Sequence, residues 1–299
     1  MGPKAVVSAA ATKSKILMLH GFVQSDKIFS AKTGGLRKTL QKLGYELYYP
    51  CAPEHVDRET FLALHSLPAD VEKTAEAGNK DIASKYNTSA NSQDEMYGWW
   101  IRNPSGSKGL QNFTIKQSTF DYLHNYILQN GPFDGIIAFS QGAAFAGYLV
   151  MDFNRLLNLT LEEQPPLKFF VSFSGFKLEP DEYQNVYTAA TSDAVPPSLH
   201  ILGEMDTVVS EERTMQLYNA YPAEKRLLLK HPGSHFIPNS KAFVTQICNW
   251  LQNVTRSEAK EGGAKEKHNP KGGAEEKSQQ QQHSLDDDIL GMMDSIGKP

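Results

Sequence analysis

The middle of the chain reads Gly135-Ile136-Ile137-Ala138-Phe139-Ser140-Gln141-Gly142. The first five residues are uncharged and follow the turn signal Gly131-Pro132, which predicts a short buried strand. The small residues after Ser140 predict a helix from Gln141 to about Leu156 that packs closely on this strand. A serine at a strand-to-helix turn of the form Ala-x-Ser-x-Gly is typical of a nucleophile elbow, because so tight a turn needs neighbours with almost no side chain. Ala138 stands where that motif usually has glycine.

The same alternation of strand and helix extends in both directions from this turn. Strands are predicted at 15–20, 45–49, 135–139, 168–173, 198–202 and 226–230, and helices at 36–43, 114–129, 141–156, 211–219 and 239–254. The strand at 15–20 is a continuous apolar run, which is expected when both faces of a strand are covered by helices. We therefore expect an α/β fold with a mostly parallel, doubly wound sheet and helices on both faces.

Two later strands end at residues that complete a catalytic set. The strand at 198–202 runs into Gly203-Glu204-Met205-Asp206, and the strand at 226–230 runs into His231-Pro232-Gly233-Ser234-His235. The chain order Ser140, Asp206, His235 is the order found in α/β-hydrolases, and parallel strands would bring all three to one edge of the sheet. His235 would accept the serine proton and Asp206 would orient the imidazole. Glu204 is the alternative acid and His231 the alternative base.

The loop after the first strand and the region near residue 100 complete the candidate site. His20-Gly21-Phe22 ends the first strand, so the backbone N–H groups of Phe22 and Gln141 are the predicted oxyanion-hole donors. His20 itself is expected to hold this loop. Trp99 and Trp100 are candidate residues of the substrate pocket, one anchoring the chain on the core and the other lining an acyl pocket, unless both simply pack in the core.

The composition excludes several classes of protein. The 299 residues carry a formal charge of −4, so no general positive field attracts nucleic acid. Two cysteines, Cys51 and Cys248, are too few for a disulfide scaffold and lack zinc-ligand spacing, which favours a reducing compartment. No apolar run is long enough to span a membrane, and no glycine-rich phosphate loop occurs. We expect neither a metal nor another cofactor.

The sequence also predicts a division into segments. Residues 1–14 form a flexible extension and residues 15–255 the folded domain, with a polar insert at about 54–112 that contains a helix near 68–86. Residues 256–299 form a disordered polar tail in which Lys, Glu, Gly and Gln dominate. Within it, residues 285–296 have apolar side chains at helical spacing, which indicates either a docking peptide for a protein partner or a tail without one.

Several sequence blocks together resemble the fungal FSH-type serine hydrolases, whose relatives include a human ovarian-tumour-associated hydrolase. These blocks are residues 16–22, 34–37, 131–135, 138–142 and 231–238. The resemblance covers about residues 15–254 and implies an α/β-hydrolase fold, with the catalytic triad on Ser140, Asp206 and His235. It also implies hydrolysis of carboxylic esters, with thioester release in some relatives. Residues 1–14 and the tail lie outside it.

We therefore expect a serine hydrolase that cleaves esters, or thioesters, of small or medium acyl groups through an acyl-serine intermediate. Its partner would be a small-molecule substrate, and its compartment the cytoplasm, with the nucleus as second choice. The alternative is a slow or non-catalytic hydrolase-fold module that binds a ligand or recruits a protein through residues 285–296.

Overall fold

The structure is a computed structural model that describes residues 13–64, 96–102 and 113–265. Two units divide the chain, Met1–Ala259 and Lys260–Pro299, and the sheet lies in the first. The predicted helix near 68–86, the segment 285–296 and most of the extension 1–14 lie outside the described residues. The division into extension, domain and tail therefore stays a prediction.

The strands and helices alternate along most of the chain. The strands, in chain order, are β1 (Lys15–Leu19), β2 (Glu46–Tyr48), β3 (Glu54–His55), β4 (Tyr97–Gly98), β5 (Gly135–Phe139), β6 (Phe169–Phe173), β7 (Ser198–Gly203) and β8 (Arg226–His231). The helices are α1 (Asp26–Lys32), α2 (Gly34–Lys42), α3 (Arg58–Leu64), α4 (Gln117–Asn130), α5 (Gln141–Leu149), α6 (Phe153–Leu156), α7 (Asp181–Ala189), α8 (Glu211–Asn219) and α9 (Lys241–Lys265).

The main sheet has the strand order β2-β1-β5-β6-β7-β8, and every neighbouring pair in it is parallel. The chain first adds β2 on one side of β1 and then returns to place β5 on the other side. This reversal opens a crevice between the carboxyl ends of β1 and β5, the usual position of a site in such sheets. The predicted doubly wound parallel sheet is confirmed.

Side chains alternate between two cores on opposite faces of the sheet. In β5, Ile136 and Ala138 contribute to the core that contains residues of α4, α5, α7 and α8. Ile137 and Phe139 contribute to the other core, with residues of α1, α2 and α9. Fully burying one such side chain stabilises the fold by roughly 1.5–3 kcal/mol, so both faces need their helices. The predicted helical cover on both faces is confirmed.

Some elements differ from the sequence prediction. The predicted helix at 141–156 is two helices, α5 and α6, because the chain turns between them at Val150 and Met151, which are both buried. Helix α9 continues past 254 to Lys265. Helices α1, α3 and α7 and the antiparallel pair of β3 and β4 were not predicted.

None of the helices in the described ranges combines the length and the apolar character that crossing a membrane requires.

A buried histidine in β7 makes the stability of the fold sensitive to acid. Burial and, to a smaller extent, the positive charge of Arg226 lower the pKa of His200 to about 3. In the unfolded chain the imidazole takes a proton near pH 6.5, whereas in the folded chain it does not. The free energy of unfolding should therefore fall as the pH drops below about 6.5, approaching about 1.4 kcal/mol per pH unit for this group.

We expect His200→Phe to make this pH dependence shallower. The substitution removes the titrating imidazole but keeps a ring of similar size beside the aromatic neighbours Phe170 and Tyr221. Urea unfolding of both proteins between pH 7 and pH 4.5 measures the effect. Equal slopes for the variant and the unchanged chain would contradict it.

Candidate active site

Ser140 lies at the sharp turn between β5 and α5. Its backbone has φ 51° and ψ −118°, a conformation that residues with a side chain rarely adopt. The N–H of Ser140 donates to the carbonyl oxygen of Phe173 at 2.8 Å, which ties the turn to the end of β6. The surrounding structure maintains this strained conformation, which places the side chain of Ser140 at the beginning of α5, as the motif predicts.

Gly142 explains why the turn needs a glycine two residues after the serine. A Cβ atom on Gly142 would lie 2.4 Å from the carbonyl oxygen of His20 and 2.6 Å from that of Leu19. Both atoms belong to the backbone at the end of β1 and cannot move aside cheaply. The first turn of α5 is therefore pressed directly against β1, which brings Ser140 next to the loop that begins at His20.

The structure brings Ser140, His235 and Asp206 together although 95 and 29 residues separate the hydrogen-bonded pairs along the chain. The distance from His235 Nε2 to Ser140 Oγ is 2.9 Å, and that from His235 Nδ1 to Asp206 Oδ2 is 2.7 Å. The other carboxylate oxygen, Oδ1, accepts from the N–H groups of Val208 and Val209, each at 2.9 Å. The carboxylate is thus fixed by its own loop and in turn fixes the imidazole.

Asp206 is held in its ionised form. Burial raises the pKa of this carboxyl group, but the hydrogen bond and charge of His235 and the N–H groups of Val209 and Val208 lower it by more, so the net pKa lies below its usual range. An ionised Asp206 accepts a hydrogen bond from the N–H at Nδ1 of His235, which leaves the lone pair of Nε2 directed at the Ser140 hydroxyl. This is the tautomer that a general base requires.

The two alternatives from the sequence lie elsewhere. Glu204 is exposed and makes no hydrogen bond to His235 within the described chain. His231 is buried, its Nδ1 accepts from the N–H of Gly233 at 3.2 Å, and its ring packs against Phe236. Burial lowers the pKa of His231, which favours the neutral ring. His231 thus shapes the loop that carries His235.

The loop after β1 is held by His20. Its Nε2 accepts from the N–H of Ala52 at 2.9 Å, so Nδ1 carries the proton and donates to the carbonyl oxygen of Gly21 at 2.7 Å. Burial lowers the pKa of His20 to about 4, which keeps this neutral tautomer. Phe22 follows directly, and within the described residues neither its N–H nor that of Gln141 donates to a protein acceptor.

The side chain of Gln141 has a role that the sequence did not reveal. Its Oε1 accepts from the N–H of Trp99 at 2.9 Å, and its Nε2 donates to the carbonyl oxygen of Trp100 at 2.8 Å. Gly98 permits this contact, because a Cβ there would lie 2.8 Å from the ring of Phe22 and 3.1 Å from Oε1 of Gln141. The side chain of Gln141 therefore fixes the backbone of Trp99 and Trp100 next to the site.

The two tryptophans have different environments. Trp99 has no exposed surface, donates from Nε1 to the carbonyl oxygen of His20 at 2.9 Å and packs against Phe145. The expectation that Trp99 is a pocket residue is therefore corrected, because its ring lies in the core and supports the loop after β1. Trp100 stacks on Phe113 and lines the cavity next to Ser140.

That cavity has a volume of about 350 Å³, at the small end of the range for ligand pockets. Its wall includes Ser140 and His235, with an apolar part and a part that carries two arginines. The lining residues are Phe22, Leu64, Trp100, Arg102, Phe139, Ser140, Gln141, Phe176, Thr207, Val208, Val209, Ser210, Arg213 and His235. The described part of the chain contains no cluster of His, Cys, Asp or Glu side chains suited to holding a metal ion.

Comparison with known proteins agrees with this geometry. Residues 9–247 match the family described as "Serine hydrolase (FSH1)". The chain is 55% identical over 286 residues to "Family of serine hydrolases 3" of Saccharomyces cerevisiae, covering 96% of this chain and 98% of the relative. It is 30% identical over 234 residues to "Esterase OVCA2" of Danio rerio, covering 77% and 92%.

Among solved structures, the acyl-protein thioesterase 2 of Zea mays superposes with a TM-score of 0.50 at 16% identity, covering 85% of this chain and 96% of that one. At this identity the likeness shows the fold alone, and that fold is the α/β-hydrolase fold expected from the sequence. The fold and the family match together make this chain a serine hydrolase and a member of the FSH1 family.

Proposed function

We propose that the protein hydrolyses carboxylic esters of small or medium acyl groups through an acyl-Ser140 intermediate. The observation that carries the proposal is the pair of hydrogen bonds that joins Ser140 Oγ, His235 and Asp206. A free serine hydroxyl is a poor nucleophile at neutral pH and needs an adjacent base. In this arrangement His235 supplies the base and Asp206 orients and stabilises it.

The reaction proceeds in two halves. Ser140 Oγ attacks the ester carbonyl while Nε2 of His235 takes its proton, and the imidazolium then gives that proton to the departing alcohol oxygen. A water molecule then attacks the acyl-serine, again losing a proton to His235, which returns it to Ser140 Oγ as the acid leaves. The imidazole thus ends each half of the cycle in its starting protonation state.

The negative oxygen formed in each half needs donors that are already oriented. The N–H groups of Phe22 and Gln141 are the proposed donors, because both lie at the crevice and neither has a protein acceptor in the described residues. His20, Ala52 and Trp99 fix the loop that carries Phe22, so we assign His20 a positioning role. The start of α5 adds its partial positive charge at the same place.

Thioesters are a second substrate type under the same mechanism, since a thiolate leaves more readily than an alkoxide. The cytoplasm is the proposed compartment, which is consistent with two cysteines, Cys51 and Cys248, that are not joined in a disulfide. A protein partner that binds residues 285–296 stays a prediction from the sequence alone.

A series of 4-nitrophenyl esters with two to sixteen acyl carbons tests the function. The value of kcat/KM should be highest at short or medium chain length, because a cavity of about 350 Å³ does not enclose a long chain. Matched acyl thioesters, followed by thiol release, should show the same preference. Rates that do not exceed those of a Ser140→Ala variant for any ester or thioester would refute the proposal.

A further inference from the structure

One part of the wall of the cavity beside Ser140 is positively charged. Arg213, in the first turn of α8, and Arg102 both line it, and no aspartate or glutamate of the described residues does. The catalytic triad accounts for Ser140 and His235 in this wall, and the hydrogen bonds to Trp99 and Trp100 account for Gln141. Neither accounts for a guanidinium in the wall of a small substrate cavity. A buried charge is costly unless it is paired and hydrogen-bonded, as Arg213 is with Glu179.

Arg213 is held in a fixed position. Its Nε donates to Oε1 of Glu179 at 3.0 Å, and its guanidinium carbon lies 4.1 Å from the centre of the Phe176 ring. Only 16% of the side chain is exposed. A guanidinium held both by a carboxylate and by an aromatic face loses little further freedom when it binds a ligand.

The two Nη groups of Arg213 remain for a ligand. One of the five N–H donors is used by Glu179, and the other four have no acceptor in the described part of the chain. The Nη atoms are not among the fully buried polar atoms without a partner, so they keep some accessible surface, and Arg213 lines the cavity. The planar edge formed by two Nη groups matches the two oxygens of a carboxylate.

We propose that Arg213 selects esters that carry a second, ionised carboxylate a few carbons from the bond that is cleaved. The proposal rests on the esterase function proposed above and narrows its substrate class. A cavity of this volume is about 9 Å across if round, so one small molecule can contact both Ser140 and Arg213. The second carboxylate lies either on the acyl group or on the alcohol.

Two pairs of substrates separate these cases. The first pair is the 4-nitrophenyl monoester of adipic acid and 4-nitrophenyl hexanoate, which both have six acyl carbons and differ in the terminal carboxylate. The second pair is the hexanoate ester of 5-hydroxypentanoic acid and that of pentanol, in which the carboxylate is on the alcohol. The measured quantity is the ratio of kcat/KM for the charged ester to that for the neutral ester.

We expect Arg213→Met to lower this ratio about tenfold or more for one pair, since a charge-assisted hydrogen bond is lost. The ratio for Arg213→Lys should fall between that of Arg213→Met and that of the unchanged enzyme, because lysine keeps the charge but not the planar edge. The matched control is Arg155→Met, which removes an exposed arginine paired with Asp152 outside the cavity and should leave both ratios unchanged.

Glu179 provides a second control, because removing Arg213 also leaves its carboxylate without this partner. Glu179→Gln should keep or raise the ratio, and the double variant Arg213→Met with Glu179→Gln should keep the low ratio. A return of the double variant to the original ratio would overturn the proposal, since the effect would then come from Glu179 alone.

Ratios within twofold of the unchanged enzyme for Arg213→Met with both pairs would also overturn it, while leaving the esterase function intact. Failure of the unchanged enzyme to hydrolyse any of the four esters faster than Ser140→Ala would instead refute the proposed function, and the inference with it.

Discussion

Replacing Ser140 by alanine is expected to lower kcat for ester hydrolysis by about three orders of magnitude or more. The change removes the Oγ atom that lies 2.9 Å from Nε2 of His235 and so leaves the base without a nucleophile to activate. Alanine tolerates the backbone conformation of this turn about as well as serine does, and the side chain removed is small, so the fold should persist. Initial rates with a short-chain nitrophenyl ester measure the loss.

Ser174 offers a matched control. It follows β6 as Ser140 follows β5, its φ of 46° is close to the 51° of Ser140, and its N–H donates to the carbonyl oxygen of Ile201 at 2.8 Å. Its hydroxyl is buried and has no partner in the described structure. Ser174→Ala should keep kcat within a few-fold. A similar loss in both variants would mean that a disturbed strand end, rather than a missing nucleophile, abolishes activity.

Replacing His235 by glutamine is expected to cost about a thousandfold in kcat, within the range by which general acid–base catalysis accelerates such reactions. Glutamine cannot accept the serine proton and pass it on, although it is of similar size. His231→Gln is the comparison, because His231 contacts the loop but not Ser140, and it should lose less than about tenfold. Equal losses would contradict the assignment of the base.

The pH dependence follows from the same contacts. The pKa of Asp206 lies below its usual range, so above about pH 4 this carboxylate stays ionised and does not titrate. A protonated imidazole at His235 cannot accept the proton from Ser140, so kcat/KM should fall on the acid side. The residual activity of His235→Gln should lack this acid fall, and a profile that keeps it would contradict the role of His235.

Much of the fold and of the candidate site is visible in local sequence. Buried parallel strands are mostly apolar runs, so β1, β5, β6 and β7 could be placed within a residue or two. Because parallel strands end at one edge, chain order and strand ends were enough to select Ser140, Asp206 and His235 as a group. The close approach of α5 to β1 explains the small residues after Ser140 in the same way.

The remaining features depend on contacts between distant parts of the chain. Nothing near Gln141 in the sequence shows that its amide binds the backbone of Trp99 and Trp100, 42 and 41 residues away. The local sequence does not indicate the pairing of Arg213 with Glu179, which is 34 residues away, because α8 has the pattern of an ordinary polar surface helix. The start of α1 had a local signal, since Ser25 caps it by accepting from the N–H of Ile28.

The most direct test is covalent labelling of the purified enzyme with a fluorophosphonate, followed by mass spectrometry of its peptides. An activated serine beside an imidazole should take up one phosphonate per chain, on Ser140, and Ser140→Ala should take up none. Labelling of Ser140→Ala to the same extent as the unchanged enzyme, or a phosphonate found on a different residue, would contradict the assignment of Ser140 as the nucleophile.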